Sequence, residues 1–271
     1  VGEKIAIVTN KPQTTRNRIC AVVNREGCQF VFLDTPGLHK ARTRLGDYMV
    51  KVVKESVADV DAVLLLVEPI PHIGGPEAEL IRRIKELNVP AVLVINKIDT
   101  VEKEELLSVM QVYGAAHDFA AIVPISAKRN EGVDELLGLL AQFLPEGPQL
   151  FPEDMVTDQP ERQVCAEIIR EKLLLCLDKE IPHGTAVEIT TFSERDDGII
   201  DLDATIYCEK ASHKGIIIGK GGAMLKKIST LARTDIEAFM GTKVFLQTWV
   251  KVKENWRDNM NLIKNFGYRD E

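Results

Sequence analysis

The first half of the chain alternates short apolar runs with longer amphipathic stretches, and this alternation restricts the possible folds more than any other feature. The apolar runs have the length and composition of strands, and they cover residues 29–33, 62–67, 90–95 and 121–125. Apolar residues recur with helical periodicity over residues 44–57, 76–87, 102–116 and 131–143. Strands and helices in this order predict an α/β domain whose mostly parallel sheet is covered by helices on both faces.

The character of the chain changes after residue 147. Residues that break helices and strands cluster there, namely Pro145, Gly147, Pro148, Pro152 and Pro160. We therefore predict a first domain over residues 1–147, a linker over 148–160 and a second domain over 161–271. Patterns in the second domain predict helix, strand, strand, helix, helix and strand over residues 161–180, 186–192, 199–207, 211–218, 222–240 and 243–253. This order indicates an α+β domain.

Two polar motifs follow directly on predicted strands of the first domain. Asn96-Lys97-Ile98-Asp99 follows the strand at 90–95, and Ser126-Ala127-Lys128 follows the strand at 121–125. Ligands of open parallel sheets bind outside the carboxyl ends of the strands. An aspartate there can accept both N1–H and N2–H of guanine, while an asparagine bridges to the next loop and a lysine stem covers the base. A backbone N–H of the second motif can meet guanine O6, so the two motifs predict a guanine-nucleotide site.

A third motif, Asp34-Thr35-Pro36-Gly37, also stands at the end of a predicted strand. The Asp34 carboxylate can hold Mg²⁺ through water, because Mg²⁺ prefers oxygen ligands and keeps several waters. Gly37 lets the backbone approach a γ-phosphate and donate its N–H. Thr14 and Thr15 lie upstream, and one of their hydroxyls could complete the metal shell, so we predict Thr15 and Asp34 as the metal residues.

These three motifs, together with Pro12-Gln13-Thr14-Thr15-Arg16, resemble the Era family of GTPases. The resemblance implies an α/β P-loop-type GTPase domain that binds GTP or GDP with Mg²⁺ and hydrolyses GTP. Leu38 follows Gly37 where Ras-like enzymes orient the attacking water with glutamine. The resemblance therefore implies that backbone and metal groups place the water, and we assign no catalytic residue.

One expected motif of such a domain is missing from this chain. The phosphate loop G-x-x-x-x-G-K-[ST] does not occur in the sequence. In the family this loop and the helix after it precede a segment that resembles Val1–Lys4. A parallel sheet without the first strand would expose a buried edge, so we expect the native protein to carry strand, loop and helix. The alternative is a non-hydrolysing RNA-binding module with a vestigial nucleotide fold. A relative with two GTPase domains fits less well, because there is one set of motifs.

A glycine-rich loop, Gly219-Lys220-Gly221-Gly222, lies between two predicted helices of the second domain. Such a G-x-x-G loop lets the backbone approach phosphates, and the following helix offers its N-terminal N–H groups. The order of elements around it is similar to a type II KH domain, whose loop clamps single-stranded RNA. We predict that bases lie in an apolar groove beside the loop, with Ile217, Ile218 and Leu225 as candidates. The alternative is a helical corner without a ligand.

The distribution of charge agrees with this prediction. The formal net charge is −7, which alone argues against a nucleic-acid partner. Residues 205–271 nevertheless hold 12 basic and 7 acidic side chains, whereas residues 151–204 hold 5 basic and 14 acidic ones. The family resemblance implies single-stranded RNA of the small ribosomal subunit as partner, a role in assembly of that subunit, and no DNA partner. It also implies a cytoplasmic location with possible peripheral association at the inner membrane.

Overall fold

The computed structural model describes residues 2–37, 41–57 and 60–268, and Leu38 lies outside these ranges. Its strands are β1 (Ile19–Arg25), β2 (Cys28–Asp34), β3 (Val63–Val67), β4 (Ala91–Ile95), β5 (Ala121–Pro124), β6 (Ala186–Glu194), β7 (Ile200–Cys208) and β8 (Val244–Val252). Its helices are α1 (Arg44–Ser56), α2 (Gly75–Leu87), α3 (Lys103–Ala116), α4 (Val133–Leu140), α5 (Glu161–Cys176), α6 (Ala211–Ile218), α7 (Ala223–Met240) and α8 (Met260–Asn265). None of the helices in the described ranges combines the length and the apolar character that a membrane span requires.

The sheet of the first domain is parallel, as predicted, with strand order β3-β4-β5. Every residue of the central strand β4 is buried, because other elements cover both of its faces. Leu93 and Ile95 pack against α2 and α3, whereas Val92 and Val94 pack against α4. The predicted strand at residues 62–67 forms as β3, the outer strand of this sheet, where Leu66 is 57% exposed.

The first two strands form a separate antiparallel hairpin in which Arg25 pairs with Cys28. Glu26 and Gly27 make the turn with φ of +52° and +78°, the left-handed conformation that a two-residue hairpin requires. Our sequence analysis missed β1 and predicted only β2. Phe30 of β2 packs in the same cluster as Val92 and Val94, so the hairpin shares this part of the core with the parallel sheet.

The second domain has the predicted order of elements. Strand β7 pairs antiparallel with β6 and parallel with β8, and α5 and α7 pack against this sheet. The prediction that α5 continues to residue 180 was wrong. The helix ends at Cys176, because Leu177 is extended and Lys179 turns with φ of +56° to lead the chain back to β6.

The segment predicted as a linker lies along the hairpin of the first domain. The Val22 N–H donates to the Val156 carbonyl at 2.9 Å, and the Thr157 hydroxyl donates to the Cys20 carbonyl at 2.7 Å. The side-chain oxygen of Gln29 also accepts from backbone N–H groups of the segment. These bonds hold residues 150–157 against β1 and β2. The predicted domain limits at 147 and 161 remain predictions.

Candidate functional site

The two motifs predicted to recognise guanine lie side by side in the structure. Asn96 follows β4, and its side-chain oxygen accepts from the Lys97 N–H at 2.8 Å and from the Ala127 N–H at 3.1 Å. The second bond crosses from the loop after β4 to the loop after β5. The Ile98 N–H also donates to the Ile125 carbonyl at 3.2 Å. The two loops thus form one joined surface at the ends of neighbouring strands.

Asp99 is held in place by the second motif. The buried Ser126 hydroxyl donates to Asp99 Oδ1 at 2.7 Å, and Arg129 Nε lies 3.8 Å from Asp99 Oδ2. The hydrogen bond from Ser126 is the largest of the effects that hold the pKa of Asp99 below its ordinary value, and Arg129 and Lys128 add to it. Asp99 is therefore ionised at neutral pH and can accept N–H donors of a base.

Lys97 adopts the left-handed conformation, with φ of +66°, at the start of the turn that carries Asp99. Its ammonium group forms an ion pair with Glu68, which follows β3. The Lys97 carbonyl accepts from the Thr100 hydroxyl at 2.7 Å, which fixes the turn. Sequence reasoning missed Glu68 and Arg129, because neither belongs to a motif and each is identified only by its contact across strands.

The structure distinguishes the two candidate threonines. The Thr15 hydroxyl donates to Asp34 Oδ2 at 3.2 Å, so the two predicted metal residues lie together. The Thr14 hydroxyl instead donates to the Lys11 carbonyl at 2.8 Å and also contacts Thr9. Thr14 therefore closes a turn on its own segment, and Thr15 is the residue that faces the end of β2.

The environment of Asp34 suits a cation. Neighbouring protein atoms reduce its hydration and raise the pKa of Asp34, although its side chain reaches solvent and the Thr15 hydroxyl and Thr35 N–H oppose the shift. A carboxylate beside a hydroxyl supplies oxygen ligands of the kind that Mg²⁺ prefers. The described residues contain no cluster of three or more His, Cys, Asp or Glu side chains that could hold a metal. A metal here would thus depend on water and phosphate oxygens for its other ligands, as Mg²⁺ commonly does.

The remaining members of this motif differ in their exposure. Pro36 is buried, and Gly37 is exposed at the end of the described segment. Leu38, predicted with them as part of the nucleotide-binding set, lies outside the described residues. Among the described residues, no hydrogen bond joins the Thr15 and Asp34 pair to the surface formed by Asn96 and Asp99.

The second candidate site is the G-x-x-G loop between α6 and α7. Gly219, Gly221 and Gly222 all have positive φ, at +73°, +58° and +80°. A Cβ atom on Gly219 would lie 2.7 Å from Met224 Cβ and 2.9 Å from the Met224 nitrogen, so no larger residue fits there without movement. Lys220 is exposed at the tip of the loop. The loop therefore presents backbone and one cation at the N-terminus of the 18-residue helix α7.

The predicted groove residues separate into two groups. Ile217 is fully buried in the domain core, so its side chain has no surface to offer a base, and we correct its assignment to a core residue. Ile218 and Leu225 are partly buried at the edge of that core and keep accessible apolar surface. Lys226 and Lys227 are exposed on α7.

Comparison with known proteins agrees with this geometry. Residues 1–97 match the family described as 50S ribosome-binding GTPase, and residues 180–257 match the KH domain family. The chain is 52% identical to GTPase Era of Ruminiclostridium cellulolyticum over 99% of this chain and 90% of that protein. It is 50% identical to GTPase Era of Clostridium kluyveri over 99% and 92% of the two chains.

Two solved structures share the fold over the whole chain. One is a crystal structure of Era in complex with MgGDPNP and nucleotides 1506–1542 of 16S ribosomal RNA, with a TM-score of 0.95 and 36% identity. The other is a variant of Aquifex aeolicus Era bound to GDP·AlF4⁻, with the same TM-score and identity. Each comparison covers 100% of this chain and 92% of the solved one. Since the order of domains, the strand-end motifs and the full-length identity all agree, the chain belongs to the Era family of GTPases.

Proposed function

We propose that this protein is a GTP-hydrolysing switch that binds single-stranded RNA of the small ribosomal subunit and acts in assembly of that subunit. One observation carries the proposal: a solved Era that shares the fold over this whole chain is a complex with MgGDPNP and a segment of 16S ribosomal RNA. The surface formed by Asn96 and Asp99 suits the nucleotide, and the G-x-x-G loop suits the RNA. The alternative of a non-hydrolysing module is not favoured, because the chain belongs to a family of GTPases.

At the nucleotide site, the ionised Asp99 accepts the N1–H and N2–H groups of guanine, and Ser126 fixes its orientation through the 2.7 Å hydrogen bond. The Ala127 N–H already donates to Asn96, so a guanine O6 shares this donor or displaces the amide oxygen. Lys97 lies at the start of the turn that carries Asp99, where its stem can cover the base. Lys128 follows Ala127 in the chain and is exposed. Adenine lacks the donor pair, so the carboxylate selects guanine.

At the phosphate end, Thr15 and Asp34 are the residues that would hold Mg²⁺, and Gly37 offers its N–H to the γ-phosphate. The ion neutralises charge that develops on the phosphate oxygens during transfer. Thr15 belongs to a segment without regular structure, whereas Asp34 ends a strand. Loss of the γ-phosphate would release the Thr15 segment, which is a common way for a GTPase to switch.

At the RNA site, the G-x-x-G loop would hold the phosphate backbone through its N–H groups and Lys220. Ile218 and Leu225 would contact bases beside it. The description of the GTPase family names the 50S subunit, whereas the full-length solved relative holds 16S RNA. We give the 16S RNA more weight, because the solved relative that holds it contains both domains. A ribosomal RNA partner supports our proposal of a cytoplasmic location, and peripheral association with the inner membrane remains a prediction of the family resemblance alone.

The experiment that tests the RNA proposal replaces Lys220 and Gly221 with aspartate. The probe is an RNA with the sequence of nucleotides 1506–1542 of 16S ribosomal RNA. We expect its affinity to fall on the order of tenfold or more, since a phosphate contact becomes a repulsion. The affinity for GDP should not change, because the loop lies in the other domain.

A matched control is available at the C-terminal end of α2. Lys85→Asp with Asn88→Asp makes the same change in charge, and Asn88 also has a positive φ, at +53°. This control should leave the RNA affinity as it was. Equal RNA affinity of the loop variant and the parent protein would contradict the assignment of the loop.

A further inference from the structure

The segment before β1 connects the two domains through many contacts. Lys4 forms ion pairs with Glu171 of α5 at 2.7 Å and with Asp235 of α7 at 2.6 Å. The Val8 N–H donates to Glu171 at 3.0 Å, and the Asn17 side chain donates to the Gly267 carbonyl at 3.2 Å. Much of residues 4–17 is therefore held by the KH domain, although these residues precede the GTPase strands in the chain.

Arg16 makes the most enclosed of these contacts. It is 3% exposed, and its guanidinium donates to the Thr185 carbonyl at 2.8 Å, the His183 carbonyl at 2.8 Å and the Tyr268 hydroxyl at 3.1 Å. The same group lies 5.9 Å from the centre of the Trp256 ring and 5.8 Å from that of Tyr268, within the range of cation–π attraction. We call this set, consisting of residues 183, 185, 256 and 268, the arginine pocket.

The arginine pocket holds a cation without neutralising it. No carboxylate among the described residues forms an ion pair with Arg16, and its partners are carbonyls, a hydroxyl and aromatic rings. Removing a cation from water is costly, and neutral acceptors offset the cost only in part. The contact is therefore fixed in geometry by hydrogen bonds and rings, and no ion pair with a described carboxylate has to break when the guanidinium leaves the pocket and regains water. These are the properties of a contact that can open and close.

The residue next to Arg16 is the one that lies at the metal end of the nucleotide site. Thr15 contacts Asp34 of the GTPase domain, while Arg16 is buried in the KH domain. Neighbouring Cα atoms are about 3.8 Å apart, so a displacement of Thr15 by several ångström must also displace Arg16. The structure shows both contacts at once, which means that the two are mutually compatible.

We propose that Arg16 is a positioning residue that couples the nucleotide site to the KH domain. With Arg16 in its pocket, Thr15 is held at the metal end of the site. Binding of Mg²⁺ and GTP then favours docking of the KH domain, and release of Thr15 after hydrolysis loosens it. Coupling of this kind acts equally in both directions. The inference rests on the proposed GTP switch and adds the residue through which the switch acts.

The test uses the full-length protein with Arg16→Met, which keeps the length of the side chain and removes the guanidinium. We expect affinity for GDPNP with Mg²⁺ to fall on the order of tenfold, because Thr15 is no longer held in place. Affinity for GDP should stay within about twofold, since Thr15 acts on the nucleotide through the metal and γ-phosphate. Arg16→Lys keeps the charge but not the forked donors, and it should restore only part of the loss.

A second readout reports on the arginine pocket directly. The chain has two tryptophans, so Trp249→Phe leaves buried Trp256 as the only one. In this background, replacing GDP with GDPNP and Mg²⁺ should change the Trp256 emission, and Arg16→Met should abolish that change. Arg257→Met is the control, since Arg257 pairs with Glu209 inside the KH domain at 2.6 Å. The control should keep the nucleotide-dependent emission.

The outcomes separate the two proposals. A parent protein that binds no GDPNP overturns the GTP switch and this inference with it. A parent that prefers GDPNP, combined with an Arg16→Met variant that keeps the same preference and emission change, overturns only the role of Arg16. A variant that loses GDP and GDPNP affinity equally, or an Arg257→Met control with the same defect, shows a structural role and also overturns the coupling.

Discussion

Replacing Asp99 with asparagine should convert a guanine site into one that favours xanthine. Asp99 can accept two N–H donors of guanine, and a hydrogen bond to a charged group contributes about 1.5–3 kcal/mol. Asparagine keeps one neutral acceptor and turns its amide donor toward the N2 amino group, so one bond is lost and a repulsion replaces it. We expect a loss of about 2–4 kcal/mol, which corresponds to roughly 30-fold to 1000-fold weaker GTP binding.

The structure indicates that the substitution changes chemistry rather than position. Ser126 donates to Asp99 Oδ1 at 2.7 Å, and an asparagine oxygen can accept the same bond. Xanthine carries an oxygen where guanine carries its amino group, so the amide N–H of the variant has an acceptor there. The variant should therefore bind xanthosine triphosphate more tightly than GTP.

The assay is equilibrium binding of labelled GTP and xanthosine triphosphate to the full-length protein. Asp134→Asn is the matched control, because Asp134 is an exposed carboxylate on α4 that pairs with Arg25. This control should bind both nucleotides like the parent protein. A variant at position 99 that binds GTP and xanthosine triphosphate with equal affinity would refute the assignment of Asp99 as the guanine acceptor.

Three further predictions concern the loops and the domain contact. Gly219→Ala should destabilise the KH domain by about 2–4 kcal/mol in urea unfolding, because the added Cβ would lie 2.7 Å from Met224 Cβ at a φ of +73°. The control Gly215→Ala should not destabilise the domain, because a Cβ there would have no atom within 4 Å. Thr15→Ala should weaken binding of GDPNP with Mg²⁺ and leave the affinity for GDP unchanged, whereas Thr14→Ala should change neither affinity. The opposite pattern would assign the metal contact to Thr14. Burial lowers the pKa of His183 below its ordinary 6.5, with Arg16 adding to the shift and Glu180 opposing it, so the unfolded chain binds more protons there. Stability should thus fall as the pH drops below 6.5, by no more than about 1.4 kcal/mol per pH unit, and His183→Gln should remove this part of the slope.

Most elements of the fold could be predicted because their patterns are local. Strand β4 is a continuous apolar run that helices cover on both faces, and β6 and β7 alternate around a short turn. Strand β1 was missed because it ends in polar residues, and the signal that could have revealed it is the two-residue turn at Glu26 and Gly27. The early end of α5 depends on the path back to β6, which helical periodicity does not contain.

In the candidate site, too, local patterns predicted some features, and contacts between distant residues determined the others. Asn96, Asp99 and Ser126 could be placed together because parallel strands deliver their ends to one edge of the sheet. The burial of Ile217 and Arg16 could not be predicted, since each depends on residues distant in the chain. The pocket of Arg16 is built from residues 183, 185, 256 and 268, and no pattern near position 16 indicates them.

The most direct test of the account is the nucleotide dependence of RNA binding by the full-length protein. The affinity for an RNA with the sequence of nucleotides 1506–1542 of 16S ribosomal RNA would be measured with GDPNP and Mg²⁺, with GDP, and without nucleotide. A GTP switch predicts the tightest RNA binding with GDPNP and Mg²⁺, by about 5-fold to 150-fold over GDP, which is the usual range of coupling between two sites. Equal RNA affinity in all three conditions would contradict the switch.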